Sequence, residues 1–167
     1  MKTVEKLRLL LINARSIMQI DKKLEIEALV TFNNYDIICV TESSASPCIS
    51  DSELKIEGYT MYRRDRSSVS DNRDGGVLIY VKEVYNTSEN NTGTLNSIKC
   101  EALWIKIIMG VNCFINLGVC YHSPNASSEE VENMFSSIKE APLLEILIFL
   151  VLIGIHLRER IYMRNCL

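Results

Sequence analysis

The chain has 167 residues, of which 47% are hydrophobic and 23% charged, a length and apolar content suited to one globular domain with a real core. Its formal net charge of −3 supplies no overall pull toward nucleic acid, so any such binding has to come from a local basic patch. The 6 cysteines contain no CxxC pair and read as reduced thiols, and His122 and His156 have no partner at metal-ligand spacing, which sets zinc aside.

In chain order, the first apolar run is "KLRLLLINA", whose length and content suit a buried strand over residues 7–13. The run that contains it is too short for a secretory h-region, so the chain reads as intracellular, nuclear or cytoplasmic, and not secreted. Asp21 is placed to cap a helix running to about Asn33, with Ile26, Leu29 and Val30 on one face. "YDIICVTES" is a second buried strand that stops at Glu42. Strand, helix and strand in this order make two parallel strands joined by a right-handed crossover, which brings Asn13 and Glu42 to the same sheet edge.

"SSASPCISDSE" reads as a surface loop and "KIEGYTMYRRDR" as a strand with a basic end. After the polar stretch "SSVSDNRDGG", Gly75 and Gly76 form a turn into a strand, because no helix follows to make a phosphate cradle. "GGVLIYVKE", "CEALWIKII" and "VNCFINLGVCY" are three strands, separated by "VYNTSENNTGTLNS" and by a turn at Gly110. From Ser127 a helix begins on a capping box with Glu130, and Pro142 ends it. No repeat, low-complexity segment or linker divides the chain.

Each residue with chemical potential has two readings. Glu42 is either a solvent-exposed strand end or a ligand for a hard cation, since magnesium takes one or two carboxylates, water and phosphate oxygens. Asn13 is either a turn former or an amide that orients a carboxylate or touches a phosphate. Tyr121, in the "YHSPN" turn, either stacks on Pro124 or donates its hydroxyl to a phosphate. Arg63, Arg64 and Arg66 suit phosphate contacts and equally a solvated strand end.

Taken together, "LLLINARSI", "YDIICVTES", "YRRDRSSVSDNRDGGVLIYVK", "EALWIKI" and "GVCYHSPNAS" in this order resemble the endonuclease/exonuclease/phosphatase family. The likeness is closest to the endonuclease domains of non-long-terminal-repeat retrotransposons. The resemblance implies an α+β fold, a partial four-layer α/β/β/α sandwich of mixed sheets with flanking helices, incomplete at the C-terminus. It also implies a Mg2+-dependent site for cleaving DNA phosphodiesters, with DNA as partner and no small-molecule cofactor. On the family pattern Glu42 is the metal-binding glutamate, and Asn13 and Tyr121 are catalytic residues around the phosphate. Beside that pattern, Arg63, Arg64, Arg66 and Asn125 are the candidate nucleic-acid contacts.

The family pattern next requires Gly-Asp-Phe-Asn after a strand, and later an aspartate–histidine pair. Here "EILIFLVLIG" is that strand, but Gly154 is followed by Ile155, His156 and Leu157. Residues 1–154 therefore read as a partial domain and 155–167 as a divergent tail. The expectation is a fragment of a DNA phosphodiesterase that is catalytically inactive. The alternatives are a non-catalytic binding module, a phosphodiesterase in which other residues replace those missing, or a small protein with a C-terminal membrane anchor at 143–157. The apolar run from Ile146 to Ile155 falls well short of the roughly 20 residues that cross a bilayer, so a membrane partner is not expected.

Overall fold

The leucine-rich opening run forms β1 (Leu7–Asn13), followed by α1 (Ile20–Asn33), β2 (Ile37–Thr41), the short α2 (Asp51–Leu54), β3 (Tyr59–Arg64) and β4 (Val77–Lys82). The second half contributes β5 (Asn86–Glu89), β6 (Asn96–Ser97), β7 (Cys100–Gly110), β8 (Cys113–His122), α3 (Ser128–Lys139), β9 (Ile146–Leu152) and β10 (Arg160–Ile161). These elements come from a computed structural model that describes residues 7–65, 75–89, 96–97, 100–111, 113–122, 127–139, 146–152 and 160–161.

The strands form two mixed sheets. One has the order β10-β1-β2-β4-β3, and the other has β5-β7-β8-β9 with β6 also on β7. β1 and β2 are parallel, as the crossover through α1 requires, and β4 runs antiparallel to both β2 and β3. In the second sheet β7 and β8 form a long hairpin, and β9 returns parallel to β8 after α3.

Period-two alternation explains why the first sheet reads as unbroken apolar runs: both of its faces are covered. Leu7, Leu9 and Leu11 of β1 meet Leu103, Ile105 and Leu117 of the second sheet in an inter-sheet core. Leu10 and Ile12 face the other way and pack with Ile26 and Val30 of α1 in an outer core. That outer core also holds two tyrosines whose hydroxyls are satisfied by backbone. Tyr80 donates to the Leu54 carbonyl at 2.8 Å, and Tyr59 donates to the Tyr35 carbonyl. Burial pushes the Tyr59 phenol up to about 12 and the Tyr80 phenol and Cys39 thiol higher still, so all three stay neutral in the folded chain.

In the second sheet Gly118 lies directly opposite Trp104. A Cβ on Gly118 would stand 2.3 Å from the indole, so only glycine lets the ring lie across β8.

Several expectations are corrected. Asp21 does not cap α1: the N-cap is Gln19, and Asp21 sits in the first turn, where a carboxylate still suits the helix dipole. The segment taken as a loop over 43–53 contains the start of α2, which carries its own capping box between Ser50 and Glu53. The polar stretch 84–97 includes β5 and β6, which pair with β7 despite their poor strand propensity. Cys39, Cys48 and Cys120 form no disulfide, but Cys113 is disulfide-bonded, a bridge that cysteine spacing gave no means to foresee. The apolar segment considered as an anchor supplies β9, whose residues 146–152 pair with β8. Among the described residues no helix is long and apolar enough to cross a membrane. Two residues of the expected tail, Arg160 and Ile161, pair with Arg8 and Leu7 on the outer edge of β1.

Candidate functional site

The parallel register aligns Asn13 with Thr41, so Asn13 and Glu42 leave the sheet at one edge. Thr41 in turn faces Val77, and Val77 faces Arg64. One transverse row therefore runs Asn13, Thr41, Val77, Arg64 across four strands. On the second sheet Tyr121 is paired with Glu101, and alternation turns both toward the inter-sheet space with Leu103, Ile105, Leu117 and Val119.

The two sheets are joined at this end by a hydrogen bond in which the Tyr121 hydroxyl donates to Glu42 Oε1 at 2.7 Å. The partners are separated by 79 residues, and only sheet-on-sheet packing brings them together. Asn13 is almost fully buried, and its Oδ1 accepts the Arg15 backbone N–H at 3.1 Å, closing a tight turn after β1. That bond leaves the Asn13 amide nitrogen as the donor end.

Polar burial concentrates here. Of the five buried polar or charged residues described, Asn13, Thr41, Ser43 and Glu101 lie at this end, and Asn116 alone lies mid-sheet. Thr41 Oγ1 is buried without a hydrogen-bond partner. Strained backbone concentrates here as well. Arg15, Ser16, Glu42, Ser44, Gly75 and Gly76 all have positive φ, with Glu42 at 50°. A non-glycine residue held in that region costs on the order of 1–2 kcal/mol, and such strain gathers at functional sites when the surroundings enforce it.

The enforcement is a continued ladder of backbone bonds beyond the strands. Ser16 N–H donates to the Glu42 carbonyl at 2.8 Å and Ile17 N–H to the Ser43 carbonyl at 2.9 Å. On the other flank Ser44 N–H donates to the Gly75 carbonyl at 2.8 Å. The loop after β2 is thus gripped from both sides, and Glu42 is presented from a fixed backbone. Gly76 has φ +84 and approaches so closely that a Cβ there would sit 2.5 Å from Ser43 Oγ.

The basic cluster divides. Arg63 points to the outer face, where all five guanidinium N–H groups are engaged: with the carbonyls of Ile49 and Ser46, with Asp51, and twice with Asp65. The hydrogen bonds that it donates to the Asp65 carboxylate raise its pKa further. Arg64 lies on the opposite face of β3. Arg66 and Asn125 fall outside the described residues, as do Gly154, Ile155, His156 and Leu157.

Mg2+ needs only one or two protein carboxylates and keeps its own waters. Tyr121 occupies Glu42 Oε1 and leaves Oε2, so Glu42 fits as one ligand of a hydrated ion. Among the described residues no group of three or more His, Cys, Asp or Glu side chains converges into a metal site. Glu101 is the residue that sequence reasoning passed over. Its signal was present: a carboxylate at an inward position of the apolar alternation Leu103, Ile105, Ile107.

No protein-family model and no curated protein matches the chain by sequence. Solved structures do match by fold. The endonuclease domain of TRAS1, a telomere-specific non-LTR retrotransposon, superposes with a TM-score of 0.61 at 15% identity, covering 88% of this chain and 60% of that one. A humanized TDP2 from D. rerio gives 0.61 at 15% identity, covering 87% and 65%. An endonuclease/exonuclease/phosphatase family protein from Leptotrichia buccalis C-1013-b gives 0.56 at 13% identity, covering 86% and 66%. The chain therefore has the endonuclease/exonuclease/phosphatase fold, as α+β mixed sheets with a few helices, and it spans less than two thirds of the length of each of these three structures.

Proposed function

We propose that this chain binds nucleic-acid phosphodiesters at the Asn13, Glu42, Tyr121 end of its sheets, with Glu42 as a ligand of Mg2+ and DNA inside the cell as its partner, without cleaving it. The observation that carries the reading is the 2.7 Å bond from Tyr121 to Glu42. It joins a carboxylate and a phenol at one strained, polar edge of an otherwise aliphatic core, the edge at which Asn13 ends β1.

The division of labour follows from donor and acceptor chemistry. Glu42 is acceptor-only and suits a cation. Tyr121 orients that carboxylate through its proton, and the Asn13 amide is a neutral donor suited to a phosphate oxygen. Arg64, Arg66 and Asn125 extend the contact along the backbone, with DNA as the preferred partner. Mg2+, when bound, supplies charge neutralisation at the phosphate.

Hydrolysis by this chain falls below detection, because Ile155, His156 and Leu157 stand where the family pattern has Asp-Phe-Asn. Loss of one member of a catalytic set commonly lowers rate by orders of magnitude. One observation favours a second reading, that of a working phosphodiesterase: Glu101, a buried carboxylate opposite Tyr121, could replace a missing acid.

Fluorescence anisotropy on a labelled DNA duplex, with and without Mg2+, tests the binding reading. The wild-type chain should bind more tightly when Mg2+ is added, and Glu42→Gln should not respond. Equal Mg2+ responses in both would overturn the assignment of Glu42. Supercoiled-plasmid nicking separates the two readings. The binding reading expects no nicking in the wild type, whereas nicking that disappears in both Glu42→Ala and Glu101→Gln would establish the enzyme.

A further inference from the structure

Arg63 and Arg64 are neighbours in β3 with opposite circumstances. Strand alternation puts Tyr59, Met61 and Arg63 on the face toward α2, and Tyr62 and Arg64 on the face toward the second sheet, since Met61 packs on the outer core and Tyr62 on the inter-sheet core. Arg63 is a strut whose five donors hold the Ser46 and Ile49 carbonyls, Asp51 and Asp65. A phosphate could be met by Arg63 only after some of those bonds were broken.

Arg64 has its Nε buried with no hydrogen-bond partner. A buried donor left unmade carries the full desolvation cost of the group, so native chains rarely leave one without a use. Its register places it opposite Val77, two strands from Thr41 and three from Asn13, which is about 14 Å along the row at normal strand spacing. Its backbone carbonyl lies 3.5 Å from where a Gly76 Cβ would be, beside the loop that carries Glu42. A planar, permanently charged fork on the inter-sheet side of that row matches a phosphate oxygen pair.

We infer that Arg64 is the arginine that grips a backbone phosphate flanking the one at the Glu42–Tyr121 end, and that Arg63 braces the loop between β2 and α2 instead. The inference rests on the phosphodiester-binding reading and refines it. A contact of this kind contributes to affinity through counterion release, so it leaves a signature in the salt dependence that a bracing role would not.

The test is anisotropy of a fluorescein-labelled DNA duplex with the full chain over a series of KCl concentrations. The variants are Arg64→Ala, Arg64→Lys and Arg63→Ala, each also melted thermally. Arg64→Ala should reduce the slope of log K against log salt by about 0.9, with an unchanged melting temperature, and Arg64→Lys should restore the slope. Arg63→Ala should lower the melting temperature. If the wild type binds DNA and Arg64→Ala keeps its affinity and slope, the inference fails while the phosphodiester-binding reading stands. If the wild type does not bind the duplex at any salt concentration, both fail.

Discussion

The two ends of the first sheet are built on opposite plans. At the end where β1 begins, polar groups are paired with one another. Asp36 accepts the Arg8 backbone N–H at 2.8 Å through one oxygen and Lys82 Nζ at 2.9 Å through the other, and Lys82 also donates to the Asn34 carbonyl. The left-handed residues near that end, Asn34 and Gly58, serve as a helix C-cap and a turn into β3. At the other end six left-handed residues crowd together, Thr41 Oγ1 and Arg64 Nε are buried without partners, and the Tyr121–Glu42 bond ties the two sheets. One end is closed for stability. The other leaves the buried Thr41 Oγ1 and Arg64 Nε without hydrogen-bond partners, at a cost in stability, and on the proposed reading a ligand meets that end.

Mutations can break that contrast from either side. The largest loss is expected at the closed end: Asp36→Ala removes two hydrogen bonds and leaves the partly buried Lys82 without its counter-ion, holding only the Asn34 carbonyl, and should cost about 2–3 kcal/mol by urea denaturation. DNA and metal binding should be retained in the folded variant. Gly76→Ala strains the open end, where a Cβ meets φ +84 and the buried Ser43 hydroxyl. It should cost about 2 kcal/mol and shift the loop that holds Glu42, weakening the Mg2+ response. The smallest change has the opposite sign. Thr41→Val replaces a buried, unpartnered hydroxyl with a methyl of the same shape and should be neutral or stabilising by up to about 1 kcal/mol. A loss of more than that would show that Thr41 is structurally satisfied and would blur the contrast.

Much of the scaffold was legible in the sequence. β1, β2, β4, β7, β8 and β9 are apolar runs bounded by turn residues, and the Ser127–Glu130 capping box that opens α3 forms as expected, with Ser127 Oγ accepting the Glu130 N–H. The parallel pairing of β1 and β2 followed from the intervening helix, and it alone brought Asn13 and Glu42 to one edge. What was not legible depends on register between distant strands. Glu101 becomes notable only when it stands opposite Tyr121, and the opposed states of Arg63 and Arg64 require knowing which face of β3 meets α2. β5 and β6 form because β7 offers them an edge, a tertiary cause with no local pattern. α2 could have been found, since Ser50 and Glu53 already carry the capping-box spacing.

The central claim is that the open end holds a divalent cation through Glu42. Titrating Mn2+, as a paramagnetic substitute for Mg2+, into the isotopically labelled chain and following amide line broadening by NMR tests it directly. The account predicts broadening centred on Glu42 and Ser43, extending to Asn13 and Tyr121, and abolished in Glu42→Gln. Broadening that survives in Glu42→Gln, or that centres on the Asp36 end instead, would contradict it.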